Sequence, residues 1–258
     1  MIDFTIATQQ FEMFLLVLVR IASFVFVAPF FATSNTPQRL KIGFSLCLTF
    51  LVFPLVQDAT YSYSSVVDYA ALVFKESIAG LMLGFVSSMV VQIVQMAGHI
   101  IDMDMGLSMA TVYNPQTRTQ DGIMGNFYYY ILMLMLIVTG LHRFMIQAIV
   151  ETFTVVPLGN VTFNGGLFDT MLRFMTDYIV LGFRIALPIF CTTLITNCVL
   201  AIMAKIAPQM NMFVIGVQLK ILGGIAVLMA IIYVFPGVCN AINNEITRMM
   251  QGIVGGLM

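Results

Sequence analysis

The sequence predicts an all-α protein that is integral to a membrane or associated with it, built from helical hairpins with about six long helices. Its residues are 60% hydrophobic and only 9% charged, whereas soluble proteins average about 25% charged residues. Apolar runs of about 20 residues recur along the chain, and a helix of that length crosses a hydrocarbon core of about 30 Å. The formal net charge of −1 gives no reason to expect a nucleic-acid partner.

Six apolar segments are the predicted helices, and they cover residues 11–32, 42–56, 77–101, 122–142, 178–204 and 212–238. The last four are long enough to span a bilayer. The second is short and ends at Pro54, so it requires tilt, local thinning of the bilayer or cover by protein. The acidic residues Asp3 and Glu12 precede the first apolar run, whereas a cleavable signal peptide begins with cations. We therefore expect the first segment to be retained.

The cations favour one orientation in the membrane. They occur in three connections that the positive-inside rule places in the cytoplasm, which are residues 33–41, 102–121 and 205–211. The connections at 57–68 and 143–177 carry more acids than cations. The pattern predicts six passes with both termini outside.

Four charged residues fall inside or beside the apolar runs: Arg20, Lys75, Glu76 and Arg184. A charge in lipid costs about 2.5–3.5 kcal/mol, so such residues usually face protein or water. Lys75 and Glu76 have two interpretations, a snorkelling pair at a helix entrance or a protein contact. For Arg20 and Arg184 we expect burial against another subunit, because one chain offers too few acids at similar depth. All four are predicted polar contacts between subunits.

Small residues predict close helix packing. Gly80, Gly84 and Ser88 recur at every fourth position, which lets another backbone approach that face, although such spacing is also common by chance. The four cysteines lie within or beside apolar runs without metal-site spacing, and we expect them to be small buried packing residues.

The middle of the chain predicts a soft closure. A long helix ends near Asp102, and Asn114 before Pro115 disfavours its continuation. An irregular loop at membrane depth is tolerated only where it is buried in protein or lines a cavity. Methionine packs closely and also deforms readily, which suits a closure that must open; an ordinary cytoplasmic loop is the alternative. The candidate residues are Met103, Met105, Gly106, Leu107, Ser108, Met109, Ala110, Asn114 and Pro115.

No catalytic motif is recognisable. The sequence lacks a P-loop, GxSxG and HExxH, and its two histidines, His99 and His142, have no metal-site neighbours. Asp102 and Asp104 would point to different faces of a helix, which argues against an intramembrane aspartyl enzyme. We expect neither an enzyme nor a cofactor.

A polar turn separates the last two apolar runs. It must reach a water boundary or a protein partner, because it lies between two membrane-length helices. We predict that its polar residues and a nearby lysine form a cytoplasmic contact loop for a partner: Lys205, Pro208, Gln209, Asn211 and Lys220.

The most specific stretch of the sequence is Ala207-Pro208-Gln209-Met210-Asn211 with Phe213, Gly216, Leu219 and Lys220. With these residues the chain resembles the FliR family of flagellar export-gate proteins, whose injectisome counterparts are the SctT-type proteins, over nearly its full length. Further resemblance lies at Arg20, Pro29, Pro37, Arg39, Glu76, Gly80, Gly84, Gly98, Asp102, Gly106, Ser108, Ala110, Pro115 and Pro188. The chain departs from the family pattern at Asn114, where Asp is expected, and at Gln218, where Pro is usual.

This resemblance implies a non-enzymatic subunit of a helical, multi-subunit export gate. One copy would assemble with several FliP-type and FliQ-type subunits into a closed channel for unfolded polypeptide, in the bacterial inner membrane at the flagellar basal body. Residues 1–177 would be a FliP-like part with a plug loop at about 102–121. Residues 178–258 would be a FliQ-like hairpin and tail.

Other partners follow from the same resemblance. A FlhB-type switch protein would wrap around the hairpin tip, Lys205 to Asn211, an FlhA-type subunit would join, and lipid would contact the helices. An injectisome gate subunit is the alternative within the family. A small-molecule transporter or channel would predict two similar halves with charges at the midplane, and a structural scaffold would need no soft central loop.

Overall fold

A computed structural model describes residues 4–33, 36–56, 63–110, 112–114, 119–162, 165–231, 233 and 235–257. The helices in these ranges are α1 (Phe4–Val27), α2 (Gln38–Val52), α3 (Val66–Met105), α4 (Ile123–Val138), α5 (Leu141–Val155), α6 (Gly166–Ile206), α7 (Met212–Ile231) and α8 (Phe235–Gly256). Two 3-10 turns, Phe53–Leu55 and Leu107–Ala110, follow α2 and α3. The predicted all-α fold is confirmed.

A small β-hairpin accompanies the helices. Strand β1 (Val112–Asn114) pairs antiparallel with β2 (Thr119–Asp121), with Val112 opposite Asp121 and Asn114 opposite Thr119. Strands of three residues are too short to produce a periodic pattern, so the sequence did not predict them.

The described residues contain five helical segments long and apolar enough to cross a membrane. They are Thr8–Val27, Gln38–Leu55, Val66–Met105, Gly166–Ile206 and Met212–Ile231, and the broken pair α4 and α5 would make a sixth. This agrees with the prediction of about six long apolar helices.

Two helices are much longer than the sequence predicts. Helices α3 and α6 have 40 and 41 residues, which corresponds to about 60 Å at roughly 1.5 Å per residue. A hydrocarbon core is about 30 Å thick, so each helix is about twice as long as is needed to cross it. The predicted segments 77–101 and 178–204 therefore covered only the most apolar part of each helix.

The predicted segment 122–142 is interrupted. Helix α4 ends at Val138, and Gly140 has a φ of +77°, a conformation that glycine adopts without steric cost. Helix α5 begins directly afterwards at Leu141. Much of the predicted connection 143–177 is therefore helical, formed by α5 and the start of α6.

Helix α8 was missed because its apolar residues are not consecutive. Its buried residues recur at helical spacing, at Cys239, Ile242, Ile246, Met249 and Ile253. Polar residues on the opposite side are exposed, among them Asn240, Asn244 and Arg248. This is the pattern of an amphipathic helix, which a search for continuous apolar runs does not detect.

The chain divides into two compact units. The first contains Met1–Met89, Gly140–Phe174 and Glu245–Met258, and the second contains Val90–Thr139 and Met175–Asn244. Buried residues of the first core include Leu16, Ile21, Phe24, Leu83 and Ile149, and those of the second include Ile93, Ile101, Met105, Leu132 and Ile189. The predicted division at residue 177 concerns likeness to two partner subunits and stays a prediction.

Candidate functional site

A buried ion pair lies in the first unit, between Arg20 of α1 and Glu76 of α3. Arg20 Nε donates to Glu76 Oε2 at 2.5 Å, and the two side chains are 1% and 0% exposed. A buried charge is tolerated when it is paired and hydrogen-bonded. The expectation that Arg20 needs an acid from another subunit was wrong, because the fold brings it an acid from 56 residues away in the sequence.

The same pair holds the end of α5. Arg20 Nη1 donates to the backbone oxygens of Thr152, at 3.3 Å, and Val156, at 3.0 Å. The last carbonyls of a helix lack partners within the helix. The Thr152 oxygen also accepts from the Val156 N–H at 2.8 Å, so the guanidinium adds a second donor there and gives the Val156 oxygen a donor. Glu76 Oε1 accepts from the Gly159 backbone N–H at 2.9 Å. The network joins α1, α3 and the segment that follows α5.

The other predicted intersubunit charges differ from Arg20. Glu76 lies well inside α3, which begins at Val66, so the interpretation of a pair at a helix entrance was wrong for Glu76. Lys75 is partly exposed on α3, and Arg184 is exposed on α6. Contact of Lys75 and Arg184 with another subunit stays a prediction.

Two of the predicted packing glycines lie against α1 of the same chain. A Cβ atom on Gly80 would overlap the backbone oxygen of Arg20, and one on Gly84 would lie 2.9 Å from the oxygen of Phe24. The third small residue, Ser88, donates from Oγ to the Phe85 oxygen at 2.8 Å. Gly80 therefore brings α1 and α3 close enough for the Arg20–Glu76 pair to form.

Substitution at Gly80 tests this close approach. We expect Gly80→Ala to destabilise the chain by about 1–3 kcal/mol, since the added methyl group meets backbone that cannot move aside. The measurement is the thermal unfolding of the purified protein in detergent. Gly43→Ala is the matched control, because no atom lies within 4 Å of the Cβ position at Gly43. Equal unfolding temperatures for the two variants would contradict the prediction.

In the second unit, Asp102 fastens the end of α3 to the start of α4. Asp102 is buried, and its Oδ1 and Oδ2 accept from the Met124 backbone N–H at 3.1 and 3.2 Å. Oδ2 also accepts from the Gly125 N–H at 3.4 Å. A carboxylate at a helix N-terminus accepts hydrogen bonds from the free N–H groups there, and it interacts favourably with the positive end of the helix dipole. No local sequence signal reveals this contact, because Asp102 lies 22 residues from Met124.

Gly106 ends α3. It has a φ of +79°, and its N–H donates to the Met103 oxygen at 3.2 Å, as at a glycine-terminated helix. The 3-10 turn Leu107–Ala110 and strand β1 follow. We call residues 103–110 the central segment. The predicted change from helix to non-helical structure lies at this position.

The structure separates the predicted closing residues into different surroundings. Met105 is fully buried, whereas Met103 is 68% exposed. Leu107 is partly exposed and Ser108 is exposed. Met109 and Ala110 belong to the 3-10 turn and Asn114 to β1, while Pro115 lies outside the described residues. The central segment thus combines an anchored residue with an accessible one.

Helices α6 and α7 form a hairpin. The Cβ position of Gly216 lies 3.0 Å from Leu200 Cδ1, and that of Gly223 lies 3.5 Å from Thr192 Cγ2, so the two helices run antiparallel. At the turn, Asn211 Oδ1 accepts from the Phe213 N–H at 3.2 Å, which caps α7. The helical hairpin that the sequence predicts is confirmed.

The predicted contact loop divides into two parts. Lys205, Pro208, Gln209 and Asn211 are exposed at the hairpin tip, which we define as residues 205–211. Lys220 lies two turns further along α7 and is only partly exposed. Grouping Lys220 with the tip was therefore wrong, because a helix rises about 1.5 Å per residue and carries Lys220 away from the turn.

The cysteines also differ from expectation. Only Cys239 is buried, whereas Cys47, Cys191 and Cys198 are exposed on their helices. Burial raises the pKa of the Cys239 thiol to about 11. Among the described residues, no group of three or more His, Cys, Asp or Glu could hold a metal ion.

Comparison with known proteins shows which family this sequence matches. The sequence model of "Bacterial export proteins, family 1" matches residues 11–246. The chain belongs to this family. The matched residues of this chain include the Arg20–Glu76 pair, the central segment and the hairpin tip.

Relatives in the export family align with most of the chain. The flagellar biosynthetic protein FliR of Bacillus subtilis (strain 168) is 30% identical over 251 residues, which cover 95% of this chain and 96% of the relative. FliR of Escherichia coli (strain K12) is 26% identical, covering 93% and 92%. FliR of Aquifex aeolicus (strain VF5) is 27% identical, covering 81% of each. The resemblance to the FliR family is confirmed.

Proposed function

We propose that this protein is a subunit of the flagellar type III export gate, the closed channel through which unfolded flagellar proteins leave the cytoplasm. The observation that carries the proposal is membership of the bacterial export family over residues 11–246. The relatives in that family are named flagellar biosynthetic proteins, which favours the flagellar system over the injectisome. The role is non-enzymatic, and the location is the inner membrane at the flagellar basal body.

Assembly with FliP-type and FliQ-type subunits is part of the proposal. In the most apolar stretch of 18 residues, only 22% of α6 and 11% of α7 are buried within the chain. Soluble monomers rarely expose apolar surface of this extent, so it must meet lipid or other helices. We assign one side of the α6–α7 hairpin to FliQ-type helices and the remainder to lipid.

The central segment is the proposed closure of the passage. A passage for extended polypeptide has to accept every type of side chain, so its closure needs soft apolar contacts rather than a fixed binding site. Met103 and Ser108 are exposed, Leu107 is partly exposed, and Met105 is buried against Gly224. This arrangement supports a closure in which Met103, Leu107 and Ser108 contact the closed passage while Met105 stays anchored.

Purification with intact partners tests the proposed function. We expect native mass measurement of the detergent-extracted complex to find one copy of this chain with several FliP-type and FliQ-type subunits. A strain lacking the chain should release no flagellar proteins into the medium, and the plasmid-encoded chain should restore their release. A chain that is a stable monomer in detergent, or a strain that still exports flagellar proteins, would refute the proposal.

The hairpin tip is the proposed contact for the FlhB-type switch protein, with the FlhA-type subunit as a further member of the assembly. We expect Lys205→Glu to reduce co-purification of the switch protein, because reversing an exposed charge weakens electrostatic complementarity. The reduction should shrink as salt screens the charges. Arg173→Glu, also exposed on α6, is the matched control. Equal recovery of the switch protein with both variants would exclude this contact.

A further inference from the structure

One face of α7 carries a lysine between two contacts with the end of α3. Val217, Lys220 and Gly224 are separated by three and four positions, so they lie on the same face of the helix. The Cβ position of Gly106 is 3.8 Å from both methyl groups of Val217, and the Met105 side chain covers Gly224. The last residues of α3 therefore lie along the face that carries Lys220.

Asp104 is the acid at this contact. It directly precedes Met105, and its Oδ2 is shielded from solvent without a hydrogen-bond partner in the described part of the chain. Burying a carboxylate oxygen is costly unless a positive charge compensates it. Lys220 lies on the face of α7 that the end of α3 contacts, between Val217 and Gly224.

The nearest other titratable groups, Asp102 and His99, lie at the start of α4 rather than at Asp104. Asp102 accepts from the first backbone N–H groups of α4. His99 Nδ1 lies 3.1 Å from the Cβ position of Gly122, which the Asp102 carboxylate also approaches, so His99 lies beside Asp102. Among the described residues, Lys220 is therefore the cation on the α7 face that Met105 and Gly106, which follow Asp104, contact.

We propose that Asp104 and Lys220 are a charge pair that positions the central segment on the α6–α7 hairpin. This inference extends the proposed function and rests on it, because the pair would hold the closure in its closed position. Coulomb attraction falls with distance and is weakened when water enters. The pair therefore stabilises the docked position of the segment and contributes little once the segment has moved away.

The first measurement follows the position of the segment directly. In a chain whose four native cysteines are replaced, Met105→Cys and Gly224→Cys form a disulfide across the contact of α3 with α7, detected as loss of labelling by a maleimide polymer. We expect Asp104→Lys and Lys220→Asp each to slow this cross-linking by about tenfold, the scale of a typical coupling between neighbouring residues. The swapped variant, Asp104→Lys with Lys220→Asp, should recover most of the rate.

The second measurement follows closure, in cells that express the complete export complex. Each single reversal should raise ion leakage through the inner membrane, and the swapped variant should lower it again. The milder variants Asp104→Asn and Lys220→Gln carry the same test if a reversal prevents accumulation of the chain. The matched control is the swap of Asp169 and Arg173, exposed residues four positions apart on α6.

The outcomes separate the pair from the proposed function. Wild-type cross-linking in all variants, or a swap as defective as the single reversals, would overturn the pair. Recovery in the swap with unchanged leakage throughout would support the pair and would refute closure by the central segment. Recovery of both cross-linking and leakage would support both.

Discussion

Arg20→Ala is expected to prevent stable accumulation of the chain in the membrane. The substitution leaves Glu76 buried without its cation, and breaking a buried pair in this way costs about 3–5 kcal/mol. It also removes the donors to the Thr152 and Val156 oxygens at the end of α5. A domain is typically stable by about 5–15 kcal/mol, so this loss is a large part of the total. Immunoblots of membrane fractions and thermal unfolding in detergent measure the effect.

Two variants distinguish the pair from general sensitivity of the core. Lys75 is next to Glu76 in the sequence, but the Lys75 side chain is partly exposed. Lys75→Ala should therefore change stability little. The double variant Arg20→Met with Glu76→Leu should be less destabilised than either Arg20→Met or Glu76→Leu alone, because no isolated charge remains. A double variant as unstable as the sum of the single changes would show that charge pairing is not what stabilises this site.

Deletion of Gly106–Ala110 is expected to make the assembled gate leak ions. The deletion removes the turn that carries the accessible Leu107 and Ser108, and the Gly106 conformation that ends α3. Apolar closures exclude water only while their surfaces are in contact, so losing the turn of the proposed closure should open an aqueous path. The measurement is membrane conductance, or the fall in membrane potential, in cells that express the complete complex.

A single substitution gives the same test with less disturbance. Gly106→Val places a β-branched residue at a φ of +79°, which costs about 1–3 kcal/mol in backbone strain and should raise leakage. Gly165→Val is the matched control, since the Cβ position of Gly165 has no atom within 4 Å. If the deletion variant assembles with normal subunit content and unchanged conductance, the central segment does not close the passage.

Much of the helical architecture was predictable because it follows from local composition. A run of apolar residues long enough to cross a bilayer has few alternatives to a helix, since every backbone N–H and C=O requires a partner in lipid. The end of α3 was similarly predictable, because Gly106 suits a left-handed helix terminus. Helix α8 could have been predicted from its alternation of buried residues, such as Ile242 and Ile246, with exposed Asn244.

The candidate site was less predictable. The sequence marks Arg20 and Glu76 as charges in apolar runs and predicts Lys220 as part of the partner-contact loop. It gave Arg20 the wrong partner and grouped Lys220 with the hairpin tip. The pairing of Arg20 with Glu76 joins residues 56 positions apart, and it depends on the close approach of α1 to α3 at Gly80. No local pattern encodes a contact between side chains on different helices.

The sequence by itself determined the class of protein, the helical hairpin α6–α7 and the position where α3 gives way to the central segment. These features depend on burial of apolar runs and on the backbone preferences of individual residues, which act over a few positions. Only the tertiary structure decided that Arg20 is neutralised within the chain, that Asp102 caps α4, and that the end of α3 packs on the face of α7 that carries Lys220. Charged groups are stabilised by whichever partner the packing brings within a few ångströms, and packing is a property of the whole fold.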